Sequence, residues 1–369
     1  MDILNESCTL LIRAKGTRVD TMSGARIAVA TLGSHSALQI MKGARDEGLT
    51  SVLVCEQRRE AFYRRFDLVD EFVLVETFDQ LLDDRVQRRL SQLGAVIVPH
   101  GTMVSSIPLD RIENELTTPV FGNKYILRWE SSRELKDQLM RAAGIRLPRV
   151  FTAPSQIDAP VIVKFPGAKG GKGYFVATSH DDYRDKARTL LEKRLLSRSE
   201  LTDTFIQEYV FGVTAYPQFF HSVIRNRTEL LGVDRRYETN VDGLGRIPAQ
   251  DQLAMRLIPT HSVVGNIPLV LRESLLVDLL EMGDRFVAAS RQLAPPGMLG
   301  AFCIEGVYDE SNTFYAFEFS GRIVAGTNLF VEGSPYSQLY FEQPMSMGRR
   351  IAREIKEAIS EERLDEITT

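Results

Sequence analysis

Short apolar runs alternate with amphipathic stretches from Arg26 to Pro99. The runs 27–32 (IAVATL), 51–55 (SVLVC), 71–75 (EFVLV) and 95–98 (AVIV) have the length and β-branched content of buried strands. Between them, 37–47, 57–66 and 78–93 carry helical spacing. Alternation of apolar strands with helices predicts a parallel, doubly wound sheet. Ligands of such sheets collect beyond the carboxyl ends of the strands. The first of those ends carries Gly33-Ser34-His35-Ser36 and the fourth carries Pro99-His100-Gly101-Thr102. Two polar, glycine-containing turns at equivalent ends predict a substrate site. His35 follows a Gly-Ser turn rather than an apolar stripe, whereas His100 reads as a packed turn residue.

Beyond residue 100 the texture changes. Residues 129–144 form a predicted helix, stopped by Gly144 and Pro148. Strands follow at 160–165 (PVIVKF), 173–178, 205–210 (FIQEYV), 216–224 and 230–237, with helices at 181–196, 272–292 and 346–360. The runs 302–308 (FCIEGVY) and 314–320 (FYAFEFS) flank the turn residues DESNT, which predicts a hairpin. If its loop is Ser311-Asn312, Glu305 lies directly across the ladder from Glu318, with Cβ atoms about 5 Å apart. Like charges so placed repel unless a cation lies between them or one is protonated. The alternative is a solvated edge pair, but the apolar neighbours Phe302, Ile304, Phe317 and Phe319 oppose full exposure. A hard, oxygen-seeking divalent cation such as Mg²⁺, shared with phosphates, suits the pair.

With 369 residues the chain exceeds one ordinary core. We expect an extension over 1–24, an α/β unit over 25–123, and an α+β region over 124–369, itself split near 148–212 and 213–369. At 44% hydrophobic and 25% charged residues, the composition is that of a soluble globular protein. The net charge of −4 gives no general attraction to nucleic acid or anionic membranes. Cys8, Cys55 and Cys303 have neither pairing nor zinc-type spacing, which favours a reducing cytoplasm.

Several polar residues interrupt the apolar pattern informatively. Segment 166–173 places four glycines and two lysines between two strands, among them Gly170, Gly171 and Lys172. Glycines let backbone N–H groups approach phosphate oxygens, and lysines add charge. Its spacing is not that of a P-loop, and a mobile surface hairpin has similar composition. Lys164, inside the apolar run VIVKF, must either snorkel or meet an anion such as a phosphate. Glu208, Tyr209 and Val210 stand at a strand end where a carboxylate and backbone groups suit an adenine and ribose. The charge run 234–238 (DRRYE) ends a strand beside a glycine-containing turn and suits the wall of a phosphate cleft. Arg322, four residues past Glu318, is a planar bidentate donor suited to charge on a transferring phosphoryl group, or to a carboxylate partner.

This order of parts resembles the ATP-grasp superfamily. It has a Rossmann-like front domain, a strand lysine, a glycine-rich loop, a hinge strand with a glutamate, and a metal-binding glutamate pair. More closely, VPHGT, FGNKYILRWE, VIVKFPGAKGGKGYF, DRRYETNVDGLGRIPA and GAFCIEGVYDE resemble the archaeal formate-dependent ligases of purine synthesis. Those enzymes formylate 5-aminoimidazole-4-carboxamide ribonucleotide (AICAR). The resemblance implies ATP and Mg²⁺ (or Mn²⁺) as cofactors, AICAR and formate as substrates, and a homo-oligomeric enzyme. By the same resemblance His35, Thr102 and Asn266 contact the ribonucleotide, Glu208 and Glu238 the nucleoside of ATP, and Glu305 and Glu318 the metal. Thr102 stands where the family carries serine, and Ser320 where the superfamily carries an amide ligand. A paralogous ligase for another carboxylate and amine, and a catalytically silent relative, are the alternatives. Phe219, Phe220, Phe330, Tyr336, Tyr340 and Phe341 are candidates for an apolar subunit interface.

Overall fold

The computed structural model describes residues 13–14, 17–18, 27–165, 174–255 and 263–369. Its first sheet contains β1 (Ala28–Leu32), β2 (Thr50–Glu56), β3 (Glu71–Val75) and β4 (Ala95–Ile97). The spatial order is β3-β2-β1-β4 and every pairing is parallel. Strand order reverses between β1 and β4, so the ligand crevice of the sheet opens beyond those two strands. The expected helix over 78–93 is two elements. Phe78–Leu82 is a 3₁₀ turn closed by the reciprocal Thr77–Gln80 capping box, and extended Asp83 separates it from Asp84–Gln92.

A second sheet has β5 (Val150–Phe151), β6 (Val161–Lys164), β7 (Tyr174–Ala177) and β8 (Phe205–Glu208), in the order β5-β8-β6-β7, all antiparallel. Helix His180–Glu192 covers it through Tyr183 and Ala187. The third and largest sheet has β9 (Val213–Ser222), β10 (Arg227–Glu238), β11 (Val263–Pro268), β12 (Gly300–Tyr308) and β13 (Phe314–Ser320). Its order is β11-β10-β9-β12-β13, again antiparallel. Helix Leu276–Leu293 packs on it through a stack of rings, with Phe302 lying between Phe219 (5.0 Å) and Phe286 (5.3 Å).

Two expectations are corrected by this packing. The helix over 129–144 is broken into Ile126–Ser131 and Arg133–Ala142, because extended Ser132 caps the second piece by accepting from Leu135 N. The aromatic set expected at a subunit surface is largely core: Phe219, Phe220, Phe330 and Tyr336 are buried, and Phe341 and Tyr340 pack against the core. Long apolar strand positions read the same from sequence whether a helix or a partner covers them. Among the described residues, no helix is long and apolar enough to cross a membrane.

Candidate active site

The β12–β13 hairpin pairs Glu305 directly with Glu318, as the sequence predicts, but through a different turn. The register slips between Glu305 and Gly306, so that Val307 faces Tyr315 and Tyr308 faces Phe314. Asp309 N donates to Thr313 O (3.0 Å), leaving the three-residue loop 310–312 with Asn312 at φ 60°. A three-residue loop ending in a left-handed residue is a common hairpin closure, and the β-bulge absorbs the extra residue.

Each carboxylate has its own cation. Glu305 is buried and takes a salt bridge from Arg236 of β10. Half-buried Glu318 accepts from Lys136 Nζ at 2.7 Å, from helix Arg133–Ala142. Burial lifts the Glu305 carboxyl above its ordinary range, with Arg236 opposing and Glu318 adding to the rise. Burial acts the same way on Glu318, but Lys136, then Arg236 and Lys164, outweigh it and hold that carboxyl low. Two opposed glutamates are thus pushed apart in proton affinity by their neighbours. Lys164 ends β6, donates to Gln207 Oε1 at 3.0 Å, and lies 5.9 Å over the Phe317 ring. Burial lowers its pKa, an effect that Glu318 offsets only in part.

Two carboxylate donors fit a Mg²⁺ ion that draws its remaining ligands from phosphates and water. Among the described residues no group of three or more acidic, histidine or cysteine side chains converges to make an all-protein cage. That donor set suits a metal carried by a triphosphate.

The residues expected to meet the nucleoside stand at the ends of β8 and β10. Glu208 ends β8 and accepts from Arg149 N at 3.1 Å, while Tyr209 N donates to Pro160 O at 2.8 Å. Glu208, Tyr209 and Val210 line a cleft of about 630 Å³ closed on its far side by Tyr308, Tyr315 and Asp309 to Ser311. The cleft is not lined by Lys164, Glu305 or Glu318, so it is distinct from the acidic pair. Glu238 ends β10, its carboxyl raised by burial, and its backbone N–H donates to Asp242. Gly170, Gly171 and Lys172 lie outside the described residues.

At the front sheet, His35 has φ 53° and stacks on His100 with centroids 5.2 Å apart. His100 is the packed turn residue expected. Its Nε2 faces Leu32 O at 2.9 Å and its Nδ1 accepts from Thr102 N at 3.2 Å, which fixes the proton on Nε2. Crowding at the crevice, with His100 and Arg322 beside it, pushes the pKa of His35 down to about 3, although the residue keeps an exposed edge. Thr102 opens helix Gly101–Ser106 and is half-buried. A Cβ at Gly101 would stand 2.9 Å from His35 Nε2 and 3.6 Å from Arg322 Nη2, so glycine there lets imidazole and guanidinium converge.

Arg322 has the carboxylate partner that was the other reading of it. It donates to Glu130 Oε1 at 2.7 Å, and Gly321 N donates to Glu130 Oε2 at 2.9 Å. Its Nε is buried with no hydrogen-bond partner among the described residues. Asn266 on β11 donates through Nδ2 to Asp234 Oδ2 at 2.6 Å. The structure therefore brings Lys164, Glu305 and Glu318 together, sets His35, Thr102 and Arg322 in the crevice of the first sheet, and keeps Asn266 on the far edge of the third.

Comparison with known proteins decides the family. A model described as a domain of unknown function (DUF1297) matches residues 182–369, and a protein of unknown function (DUF1246) matches 29–151. A 5-formaminoimidazole-4-carboxamide-1-(beta)-D-ribofuranosyl 5'-monophosphate synthetase from Cenarchaeum symbiosum is 55% identical over 92% of this chain and 99% of its own. The chain belongs to this synthetase family. The crystal structure of an IMP biosynthesis protein PurP from Thermococcus kodakaraensis superposes on the synthetase chain with TM-score 0.73 and 33% identity. That match spans 92% of this chain and all of the other. An ADP complex of an N5-carboxyaminoimidazole ribonucleotide synthetase matches at TM-score 0.62 and 13% identity, over 89% of this chain and 76% of its own. At that identity it shows the shared ATP-grasp fold. As a member of the synthetase family the chain is an enzyme. Three polar residues of its site went unpredicted. Lys136 and Glu130 lie in helices whose charges read as solvated faces, and Arg236 was placed only within a charge run.

Proposed function

We propose that this site catalyses ATP- and formate-dependent formylation of AICAR to its 5-formamido product, a step of IMP synthesis, releasing ADP and phosphate. The observation that carries the proposal is the Glu305–Glu318 pair, opposed across one ladder and ringed by Lys136, Lys164 and Arg236. A binding-only module has no need of such a pair.

Formate becomes an acyl donor once one of its oxygens attacks the γ-phosphorus of ATP and ADP departs. The product of that step is formyl phosphate. Glu305 and Glu318 would hold Mg²⁺, which when bound neutralises phosphate charge and aligns the transferring group. Lys164 and Lys136 add fixed positive charge beside the same carboxylates. Glu208, Tyr209 and Val210 seat the nucleoside at the hinge, with Glu238 beyond. The exocyclic amine of AICAR then attacks the formyl carbon, and the departing phosphate takes the proton that the amine loses. His35, Thr102 and Asn266 hold the ribonucleotide, and His35 serves as a neutral hydrogen-bonding group. Arg322, which follows β13 of the large sheet and reaches toward the front-sheet crevice, has an Nε to spare for the acyl phosphate. Formyl phosphate hydrolyses readily, so water must be kept out, and the glycine-rich segment 166–173 is suited to cover it. We assign the reaction to the cytoplasm and the working enzyme to a homo-oligomer.

The test is ADP release with AICAR, formate and Mg-ATP, and with each omitted in turn. Release that is indifferent to formate points to a paralogous ligase with another carboxylate. Glu318→Gln is expected to lower kcat at least 100-fold while leaving AICAR binding, measured by calorimetry, within about twofold. Near-normal turnover in that variant would remove the metal assignment.

A further inference from the structure

Asp234 is a buried carboxylate that the reaction above does not use. It lies on β10, 2% exposed, and both of its hydrogen-bond partners are side-chain amides. Gln218 Nε2 donates to Oδ1 at 2.6 Å and Asn266 Nδ2 donates to Oδ2 at 2.6 Å. Asn266 stands opposite Arg236 in the β10–β11 ladder, so Asp234 meets it as the diagonal neighbour on the same face. An ionised carboxylate only accepts hydrogen bonds. It therefore forces the Asn266 carboxamide to turn its NH₂ toward Asp234, which leaves Oδ1 as the atom available to accept from a ligand.

The same carboxylate packs against Gly326, where a Cβ would overlap both of its oxygens. Gly326 belongs to the short 3₁₀ segment Ala325–Phe330. That segment also reaches the front sheet. Asn328 Nδ2 donates to His35 O at 3.3 Å, and Gln39 Nε2 donates to Thr327 Oγ1 and Asn328 Oδ1, each at 3.2 Å. One strap thus touches the support of His35 and the support of Asn266, although these come from different sheets.

We propose that Asp234, seated on Gly326, is a positioning residue for the ribonucleotide. It fixes the amide of Asn266 so that its oxygen accepts a hydrogen bond from a donor group of the substrate, such as a carboxamide NH₂ or a ribose hydroxyl. This rests on the reading of Asn266 as a ribonucleotide contact. Specificity follows from the fixed acceptor, because a ligand presenting an acceptor there meets a lone pair and leaves a buried group unpaired.

Three substitutions separate orientation from bulk structure. Asp234→Asn can no longer accept from both amides, so the KM for AICAR is expected to rise about tenfold, with kcat and the KM for ATP within about twofold. Asn266→Asp alone sets two carboxylates face to face and is expected to raise the same KM further. The double variant Asp234→Asn/Asn266→Asp restores one amide–carboxylate bond with its direction reversed, and still offers an oxygen to a ligand donor. It is expected to return the AICAR KM to within about threefold of wild type. Gly326→Ala, which displaces the Asp234 carboxylate while altering neither partner, is expected to reproduce the KM rise.

A merely structural role predicts parallel losses in kcat, both KM values and melting temperature, with no rescue in the double variant, and that result overturns the proposal. AICAR affinity by calorimetry is measured on the same proteins. A wild type that binds AICAR with this Asp234 dependence but shows no formate-dependent turnover sinks the reaction and sustains the positioning role. Turnover with an AICAR KM indifferent to Asp234→Asn sinks the positioning role alone. A wild type that neither binds nor turns over AICAR sinks both.

Discussion

His100 has no exposed surface, and its proton is pinned on Nε2 by Leu32 O. Burial dominates its titration, and despite the Leu32 bond its pKa falls from 6.5 to about 4, with Arg322 adding to the fall. Its unfolded form therefore takes up a proton below about pH 6.5, where the folded form does not. Stability contributed by neutral His100 is present above that value and is lost as pH falls toward 4. Between pH 7 and pH 5 the loss from His100 alone is about 2 kcal/mol. Urea unfolding at the two pH values measures it, and His100→Gln is expected to flatten that part of the acid limb. An equally steep limb in the variant would mean that the group titrates freely. The sequence marked His100 correctly as packed, because Pro99 and Gly101 give it a turn setting. Asp234 and Lys136 were less legible. Nothing in a linear pattern shows that Lys136 meets a carboxylate 182 residues away.

Elements with regular burial were the readable ones. Strands β1 to β4 are mostly apolar because both faces of their sheet are covered, and the β12–β13 hairpin announced itself by its turn residues. Strand β11 escaped detection because it is an edge strand open on both faces, with Val263, Val264 and Ile267 all exposed. Its apolar and polar positions therefore do not alternate. The glutamate pairing survived a wrong loop length because the β-bulge restores the register on the far side. A close helix crossing was also invisible. Helix Ala37–Asp46 meets helix Met347–Ser360 where a Cβ on Gly43 would overlap the backbone of Gly348 and Arg349. A Cβ on Gly348 would overlap Gln39 O in return. Backbone cannot yield as a side chain can, so Gly43→Ala is expected to cost about 3 kcal/mol, at the upper end for overpacking. Chemical denaturation reads this directly, and a loss under about 1 kcal/mol would mean that the helices separate freely.

Helix Met347–Ser360 joins the front sheet to the large one. Toward the front sheet, Arg349 and Arg353 grip the buried Glu47 carboxylate, each at 2.6 Å, and the Glu47 carboxyl is lowered by them against the opposing effect of burial. Toward the large sheet, Arg350 is fully buried and bonds Glu229 of β10 at 2.7 Å and Glu354 at 2.8 Å. Its guanidinium also lies 4.3 Å over the Phe220 ring of β9. Glu354 in turn accepts from Ser222 Oγ and Ile224 N. Helix Ala37–Asp46, which follows His35, and strand β10, whose other end pairs with the strand of Asn266, both rest on this strut. Arg350→Met removes one charge from a buried set and leaves Glu354 with only neutral donors. The expected cost is about 3 to 5 kcal/mol, because an uncompensated buried carboxylate is left behind. Adding Glu229→Gln and Glu354→Gln removes both buried carboxylates and leaves only the part-exposed Arg227, which pairs with Glu229 at 2.8 Å, without its partner. The triple variant should then recover at least half of the lost stability, as apolar or neutral replacements of whole ion networks often do. If the triple variant is weaker than Arg350→Met alone, the network acts through its hydrogen bonds and not through charge balance. A recovered fold with an AICAR KM still raised would show that the ion network also sets the distance between the two halves of the ribonucleotide site.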